Sequence, residues 1–443
     1  MKVSGSYSEI WKISYPIILG SLATTVLNLT DTAFLARVGE VELGAAAVAG
    51  VYYFVLVMIG MALSIGAQIL IAKRAGESNI PAIGKLFDTS FLLLCILSAL
   101  TFILSFLISP HLFALLLKSG NIITAAESYM WYRSFGLLFT VSGMAFRAFY
   151  VGIGQTRIIS YSALLTTVLN IFLDYTLIFG HFGMPAMGIE GSAIASALSE
   201  AAGALYLVVY SAIHHEFKIY GLLKFNQPVF EGIGQILRLS TPIVIQSTLS
   251  MSAWFMFFVF IERMGEHQLA ISNVIRSTYM IFMVPIWGYA SATSTMVSNL
   301  IGQGKTEEVN GVIKKIIIMS LLTTFAIFLI SMFPYAWILR LISSDARLID
   351  DSLGCYHIIL IAMFFFAASV ILLSAVSGTG KTEAALVIEI INITIYMIYV
   401  YIFAVVIPSG VEVVWASEII YWSLIGLLSL LYLRSGKWKY ASI

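Results

Sequence analysis

Two carboxylates sit where the surrounding chain offers them no water. Asp31 lies inside the apolar run 13–36, and Asp174 lies inside the run 158–180. Each stands about six residues before the end of its run. An acid in the middle of a membrane helix costs several kcal/mol unless it is neutralised, paired or wetted, so it is a functional candidate by default. Equal depth allows the two to meet. Asn170 precedes Asp174 by four residues and shares its helix face. Asn28 precedes Asp31 by three, Thr24 and Thr25 lie about two turns further in, and Ser192 sits near the end of the sixth run. Facing acids with amide and hydroxyl neighbours are suited to taking up and releasing a proton as their access to water changes. Asp31, Asp174 and Asn170 are therefore the candidate cation-coupling residues, and Thr24, Thr25, Asn28 and Ser192 are candidates for lining a cavity.

The elements that carry these residues follow from composition. The chain has 443 residues, 60% hydrophobic and 11% charged, with a mean hydropathy of +0.96. A soluble domain carries about 25% charged residues, so this chain lacks the polar surface to cover a water-soluble body. A helix crosses the hydrocarbon core with about 20 mostly apolar residues. Twelve such spans can be read, at 13–36, 44–72, 86–109, 128–150, 158–180, 188–212, 236–261, 269–299, 314–338, 353–376, 383–407 and 413–434. Neither strand alternation nor the ten-residue pattern of a membrane barrel is present. The expected class is an all-α polytopic membrane protein of twelve transmembrane helices in two pseudo-symmetric six-helix bundles.

Charge sets the orientation. With the N-terminus cytoplasmic, seventeen Lys and Arg residues fall on the inner side, among them Lys2, Lys73, Arg74, Lys218, Lys314 and Lys315. Six fall outside: Arg37, Lys118, Arg133, Arg263, Arg340 and Arg347. Arg276 lies within a span and is the one clear intramembrane cation on this reading. The bias places both termini in the cytoplasm. The short polar N-terminus has no cleavage-site pattern, so the first span reads as retained.

The halves repeat at a constant offset of 226 residues. Ile13-Ser14-Tyr15-Pro16 answers to Leu239-Ser240-Thr241-Pro242. Arg37-Val38-Gly39-Glu40 answers to Arg263-Met264-Gly265-Glu266, and Gly152-Ile153-Gly154-Gln155-Thr156 to Gly378-Thr379-Gly380-Lys381-Thr382. Six spans per half make the repeats parallel, with a substrate path expected between them. The expected organisation is an N-lobe at 1–212, a cytoplasmic linker at 213–235 and a C-lobe at 236–443. The Gly-x-Gly-x-Thr segments lack the Lys-Ser/Thr ending of a phosphate loop and are read as tight turns between spans.

Twelve spans, the duplication, Pro16, "LNLTDTAFLARVGEVELGAAAVAG", "FRAFYVGIGQTR" and "LNIFLDYTLIFG" together resemble the multidrug and toxic compound extrusion (MATE) family over essentially the whole chain. The placement of the acids is similar to its DinF-like branch, which the resemblance implies carries its essential acidic pair on helices one and five. The NorM-like branch is implied to place acids on helices seven and ten. Here Phe257 stands at the position equivalent to Asp31, and the tenth span has no acid between Gly354 and Gly380. Tyr129 resembles a cavity position of the family. The resemblance implies secondary active efflux of lipophilic, often cationic organic compounds by alternating access, coupled to H+, with Na+ as the alternative ion. A lipid or glycolipid flippase of a related two-lobe family is the competing reading.

The expected setting is the cell (inner or plasma) membrane, with small organic molecules and the lipid bilayer as partners. No cofactor, metal, nucleic-acid partner or enzymatic activity is expected, and the chain is expected to act as a monomer. Pro16 removes a backbone donor from the first helix and is the candidate kink through which proton occupancy would reshape the cavity. Glu200, Glu389, Glu418 and Arg276 are further buried charges, each read as either pairing structurally or facing a wet cleft. Asp88 is read as the favourable acid at a helix start. Cys95 and Cys355 are read as small buried residues. The aromatic run Met251–Phe260 is read as either a greasy pocket or helix packing.

Overall fold

In lipid a backbone must satisfy its own hydrogen bonds, which leaves the helix as the form for each long apolar run. The computed structural model describes residues 3–225, 232–333, 335–340, 342, 345–407 and 409–440. Lys2, residues 226–231 of the linker and positions 341, 343 and 344 of an outer loop, all used in the sequence reading, lie outside the described residues. Among the described residues, twelve helices are long and apolar enough to cross a membrane. The first six are α1 (Tyr7–Val38), α2 (Glu40–Gly76), α3 (Ile80–Leu116), α4 (Gly120–Gly152), α5 (Arg157–Phe179) and α6 (Gly188–Ile213). After the short α7 (His215–Lys218) come α8 (Ile233–Glu262), α9 (Glu266–Gly302) and α10 (Val309–Met332). The short α11 (Tyr335–Arg340) and α12 (Ala346–Asp351) lead into α13 (Leu353–Gly378) and α14 (Thr382–Tyr401). A π-helical turn, Ile402–Val406, extends α14; α15 (Val411–Trp415) and α16 (Ser417–Arg434) together make the last span.

Several helices outrun their apolar cores. The third span, expected at 86–109, begins at Ile80, where Asn79 caps Ala82 N through its side chain. This corrects the reading of Asp88, which lies two turns inside α3 and not at its start. Its carboxylate accepts from Leu223 N at 2.7 Å and Phe225 N at 3.0 Å. Both donors belong to residues with left-handed backbone, at φ 60 and φ 48. The acid therefore pins the first part of the linker.

The repeat shows in the helices themselves. α2 and α9 are each 37 residues long, and their ends stand in the 226-residue register. The expected tight turns are present: Gly154 (φ 77) and Gly380 (φ 81) adopt the left-handed backbone that favours glycine. Gly378, two residues earlier, lies so close to the Ser294 backbone that a Cβ there would stand 2.7 Å from its carbonyl oxygen.

The chain forms two compact units. One comprises Leu19–Ser240; the other joins the chain start, through Ile18, to the chain from Thr241 onward. This differs from the partition at 1–212, 213–235 and 236–443 at both borders. The physical reason lies in the first helix of each half. Val3, Ile10 and Ile13 are buried in one apolar cluster with Val297, Leu300 and Val309, and Val3 N donates to Asn299 Oδ1. Ser240 in turn donates to the Leu63 carbonyl of α2. Each border falls two residues from a proline, Pro16 in α1 and Pro242 in α8, where a missing N–H weakens the helix.

Within the first unit α4 packs on α2, α3 and α6, and α5 packs on α6. Within the second, α13 packs on α9, α10 and α16. Without a hydrophobic drive in lipid, close approach through small residues holds such helices together. Gly203 of α6 is one such point, since a methyl there would overlap Thr166 Oγ1 of α5.

Candidate functional site

Contacts at three levels hold α1 against α5. Gly20 meets Ser160 and Ala163, so that a Cβ would lie 3.5 Å from the Ala163 methyl. Further along, the Phe34 and Phe179 rings meet edge to face at 5.5 Å. Between these levels the carboxyls of Asp31 and Asp174 come within hydrogen-bonding reach of each other. Asp174 is fully buried, while Asp31 is half-buried. Asp31 Oδ1 and both carboxyl oxygens of Asp174 are buried with no donor. Two carboxylates offer only acceptors, so the contact becomes a hydrogen bond once one of them carries a proton.

Asp174 owes its placement to a tight α5–α6 interface. Gly191 lies against the Leu177 carbonyl, and Ser162 donates to Gly203 O at 3.0 Å. Asn170, fully buried, donates through Nδ2 to Ser196 Oγ at 3.4 Å, and its Oδ1 has no partner. Ser192 is fully buried with its Oγ unpartnered. Tyr129 of α4 is buried, one helical turn before Arg133.

Two expected neighbours are otherwise engaged. The Thr24 hydroxyl donates to Gly20 O at 3.1 Å and the Thr25 hydroxyl to Ser21 O at 3.0 Å. A threonine in a helix readily bonds the carbonyl four residues back, which turns these groups onto α1 and away from the acids. Asn28 is exposed.

A larger correction concerns Arg133, which the charge count placed outside. It stands thirteen residues into α4 and makes a two-pronged ion pair with Glu200 of α6, Nη1–Oε2 at 2.7 Å and Nη2–Oε1 at 2.6 Å. The Tyr53 hydroxyl of α2 donates to Glu200 Oε2 at 3.0 Å, and the guanidinium carbon lies 3.7 Å from the Tyr53 ring centroid. Arg276 is thus not the sole intramembrane cation. Its own guanidinium carbon lies 5.0 Å from the Phe258 ring. Arg133 was detectable: it falls inside the fourth apolar span, and Glu200 is a lone acid within the sixth.

The second unit treats the equivalent positions differently. Phe257, the counterpart of Asp31, is fully buried between Trp415 (5.1 Å) and Tyr396 (6.1 Å), and Tyr396 is the counterpart of Asn170. Val400 answers to Asp174. The run 251–260 is thereby divided: Phe257 packs inward, while Phe255 is exposed. The two buried acids of this unit, Glu389 and Glu418, are met by donors. Glu418 accepts from Tyr279 at 3.2 Å and from Trp422 at 3.1 Å. Glu389 accepts from Ser250 at 2.6 Å and from Tyr421.

The MatE family model matches residues 16–176 and again 242–402. Each end of the second match lies 226 residues after that of the first, the register of the internal repeat. The chain belongs to the MatE family. It is therefore a multi-pass membrane transporter and not an enzyme. Among its relatives, the probable multidrug resistance protein NorM of Thermotoga maritima is 29% identical over 440 residues, covering 97% of this chain and 93% of that protein. The NorM-named protein of Agrobacterium fabrum is 26% identical and covers 68% and 66%. Among solved structures, a MOP-superfamily transporter from Pyrococcus furiosus shares the fold with a TM-score of 0.89 at 21% identity, covering 96% and 95% of the two chains. A Vibrio cholerae MATE transporter does so with a TM-score of 0.88 at 16% identity, covering 98% of each. These likenesses place the MatE transporter's twelve helices in a known architecture.

Proposed function

We propose that this transporter exports lipophilic, often cationic organic compounds in exchange for protons, with Asp31 and Asp174 as the proton-carrying pair. The observation that carries this reading is the contact of two carboxyls, three of whose oxygens are buried without a donor. A proton supplies the missing donor, and alternating access would deliver and remove it. Export of varied compounds is supported by the relatives named for multidrug resistance. The DinF-like placement rests on the acids of α1 and α5 and on the aromatic replacement of Asp31's counterpart in α8. The flippase reading gains nothing from Arg133, whose charge is already matched by Glu200.

Proteoliposomes test this with ethidium as the probe and with proton and sodium gradients imposed separately. Ethidium is expected to move against a pH gradient alone, with counterflow of protons reported by a trapped pH dye. Movement with the sodium gradient only would replace the ion. Failure to move ethidium together with movement of a lipid-linked sugar would replace the function.

We place the protein in the cell (inner or plasma) membrane with both termini cytoplasmic, on the Lys and Arg bias of its loops, and propose that it acts as a monomer. In a form lacking Cys95 and Cys355, a cysteine at Arg347, whose side chain is 87% exposed, should react with an impermeant maleimide added to intact cells. A cysteine at Lys218 should react only after the cells are opened. The reverse pattern would invert the topology.

A further inference from the structure

A buried ion pair is weak evidence for stability, because desolvation cancels much of its attraction and an apolar pair of the same volume often does as well. The Arg133–Glu200 pair therefore calls for another account. It is built with care: both prongs are short, Tyr53 closes on the carboxylate, and the pair lies against bare backbone at Gly136, where a methyl would overlap both Glu200 Oε2 and Arg133 Nη1. It also stands beside the acids. Ser196, one helical turn from Glu200 on α6, accepts from Asn170, which is one turn from Asp174 on α5, and on α4 Arg133 is one turn from the buried Tyr129. The titratable and charged groups of this region come from five helices: Asp31 of α1, Tyr53 of α2, Tyr129 and Arg133 of α4, Asp174 of α5 and Glu200 of α6. Among these groups Arg133 is the one cation.

We propose that the Arg133–Glu200 ion pair is an internal counter-charge that tunes how tightly Asp31 and Asp174 hold their proton, so that the balance between guanidinium and Glu200 sets the pH at which the transporter exchanges it. This rests on the reading of the acidic pair as the proton carrier. Arg133 and Glu200 act through that pair as tuning residues. An unneutralised guanidinium favours charged Asp31 and Asp174 and loosens the proton; an unneutralised Glu200 does the opposite. At separations on the order of 10 Å in a partly buried setting, one charge moves a titration by about one pH unit.

The sign makes the proposal testable. Purified protein in lipid is titrated while the infrared carboxylic C=O band is followed, each variant being compared with the same variant carrying Asp31→Asn and Asp174→Asn. The difference isolates the acidic pair. Glu200→Gln should move its midpoint to lower pH by about one unit, and Arg133→Gln to higher pH by a similar amount. Arg133→Lys keeps the charge and should restore the native midpoint, and the double change of Arg133 and Glu200 to Gln should lie near it. Shifts of opposite sign support the counter-charge. An unmoved midpoint in Glu200→Gln, or shifts of the same sign, overturns it in favour of a tie between α4 and α6. If Arg133→Gln fails to fold, Glu200→Gln and Arg133→Lys decide by the same criterion. A titrating band that persists unchanged when both aspartates are replaced would refute the proton-carrier reading itself.

Discussion

Asp31→Asn and Asp174→Asn are each expected to abolish proton-driven efflux while leaving the protein folded. Asparagine keeps the size of the side chain, and its amide supplies the donor that the facing carboxylate lacks, so the contact survives without a proton to exchange. For one proton traded against one monovalent cation, the membrane potential does no net work. The drive is then the pH gradient, 1.36 kcal/mol or ten-fold accumulation for each pH unit. Either variant should lose that whole factor and let ethidium equilibrate at best. Its melting temperature in detergent should stay near that of the native protein, because one hydrogen bond replaces another at a net difference of about 1 kcal/mol. Glu389→Gln and Glu418→Gln should retain concentrative transport, since hydroxyl and indole donors already hold those carboxyls. Transport that survives in both aspartate variants and fails in a glutamate variant would move the coupling site to the other unit.

Trp415→Ala should have the largest effect on stability. The ring is fully buried. It meets Phe257 at 5.1 Å, Tyr279 at 6.4 Å and Phe258 at 6.5 Å, and its Nε1 donates to Ser272 Oγ at 3.0 Å. Truncating a buried Trp costs about 3–5 kcal/mol through lost contacts and the cavity left behind. For a unit of roughly 200 residues that corresponds to a melting temperature lower by about 6–20 °C. Trp337→Ala is the control, because that ring is exposed on α11. A Trp415→Ala shift no larger than the control's would mean that the aromatic cluster does not hold the second unit together. The physical point is an exchange of roles. Where the first unit places an acid with unsatisfied oxygens, the second places rings that fill space, so equivalent positions serve chemistry in one half and packing in the other.

Properties that are local or periodic could be read directly from the order of the residues. Hydropathy gave twelve membrane spans. The constant register of Arg-x-Gly-Glu and Gly-x-Gly-x-Thr marked the duplication that the family matches reproduce. The depth of Asp31 and Asp174 along their helices was also legible, because depth is counted in residues from a span's end. What depends on helix rotation and close approach emerges only once the helices are packed. Each residue turns a helix by about 100°, so which side chains face a neighbour is set by the packing of Gly20, Gly191 and Gly203 against the next helix. That packing brings Asp31 beside Asp174 and joins Arg133 to Glu200, 67 residues apart. The Thr24 and Thr25 hydroxyls turn back onto α1 because the carbonyl four residues earlier is always within reach, whatever lies across the interface. The border between the units falls within α1 and α8 and not at the linker, since Val3, Ile10 and Ile13 find their apolar partners in the distant half of the chain.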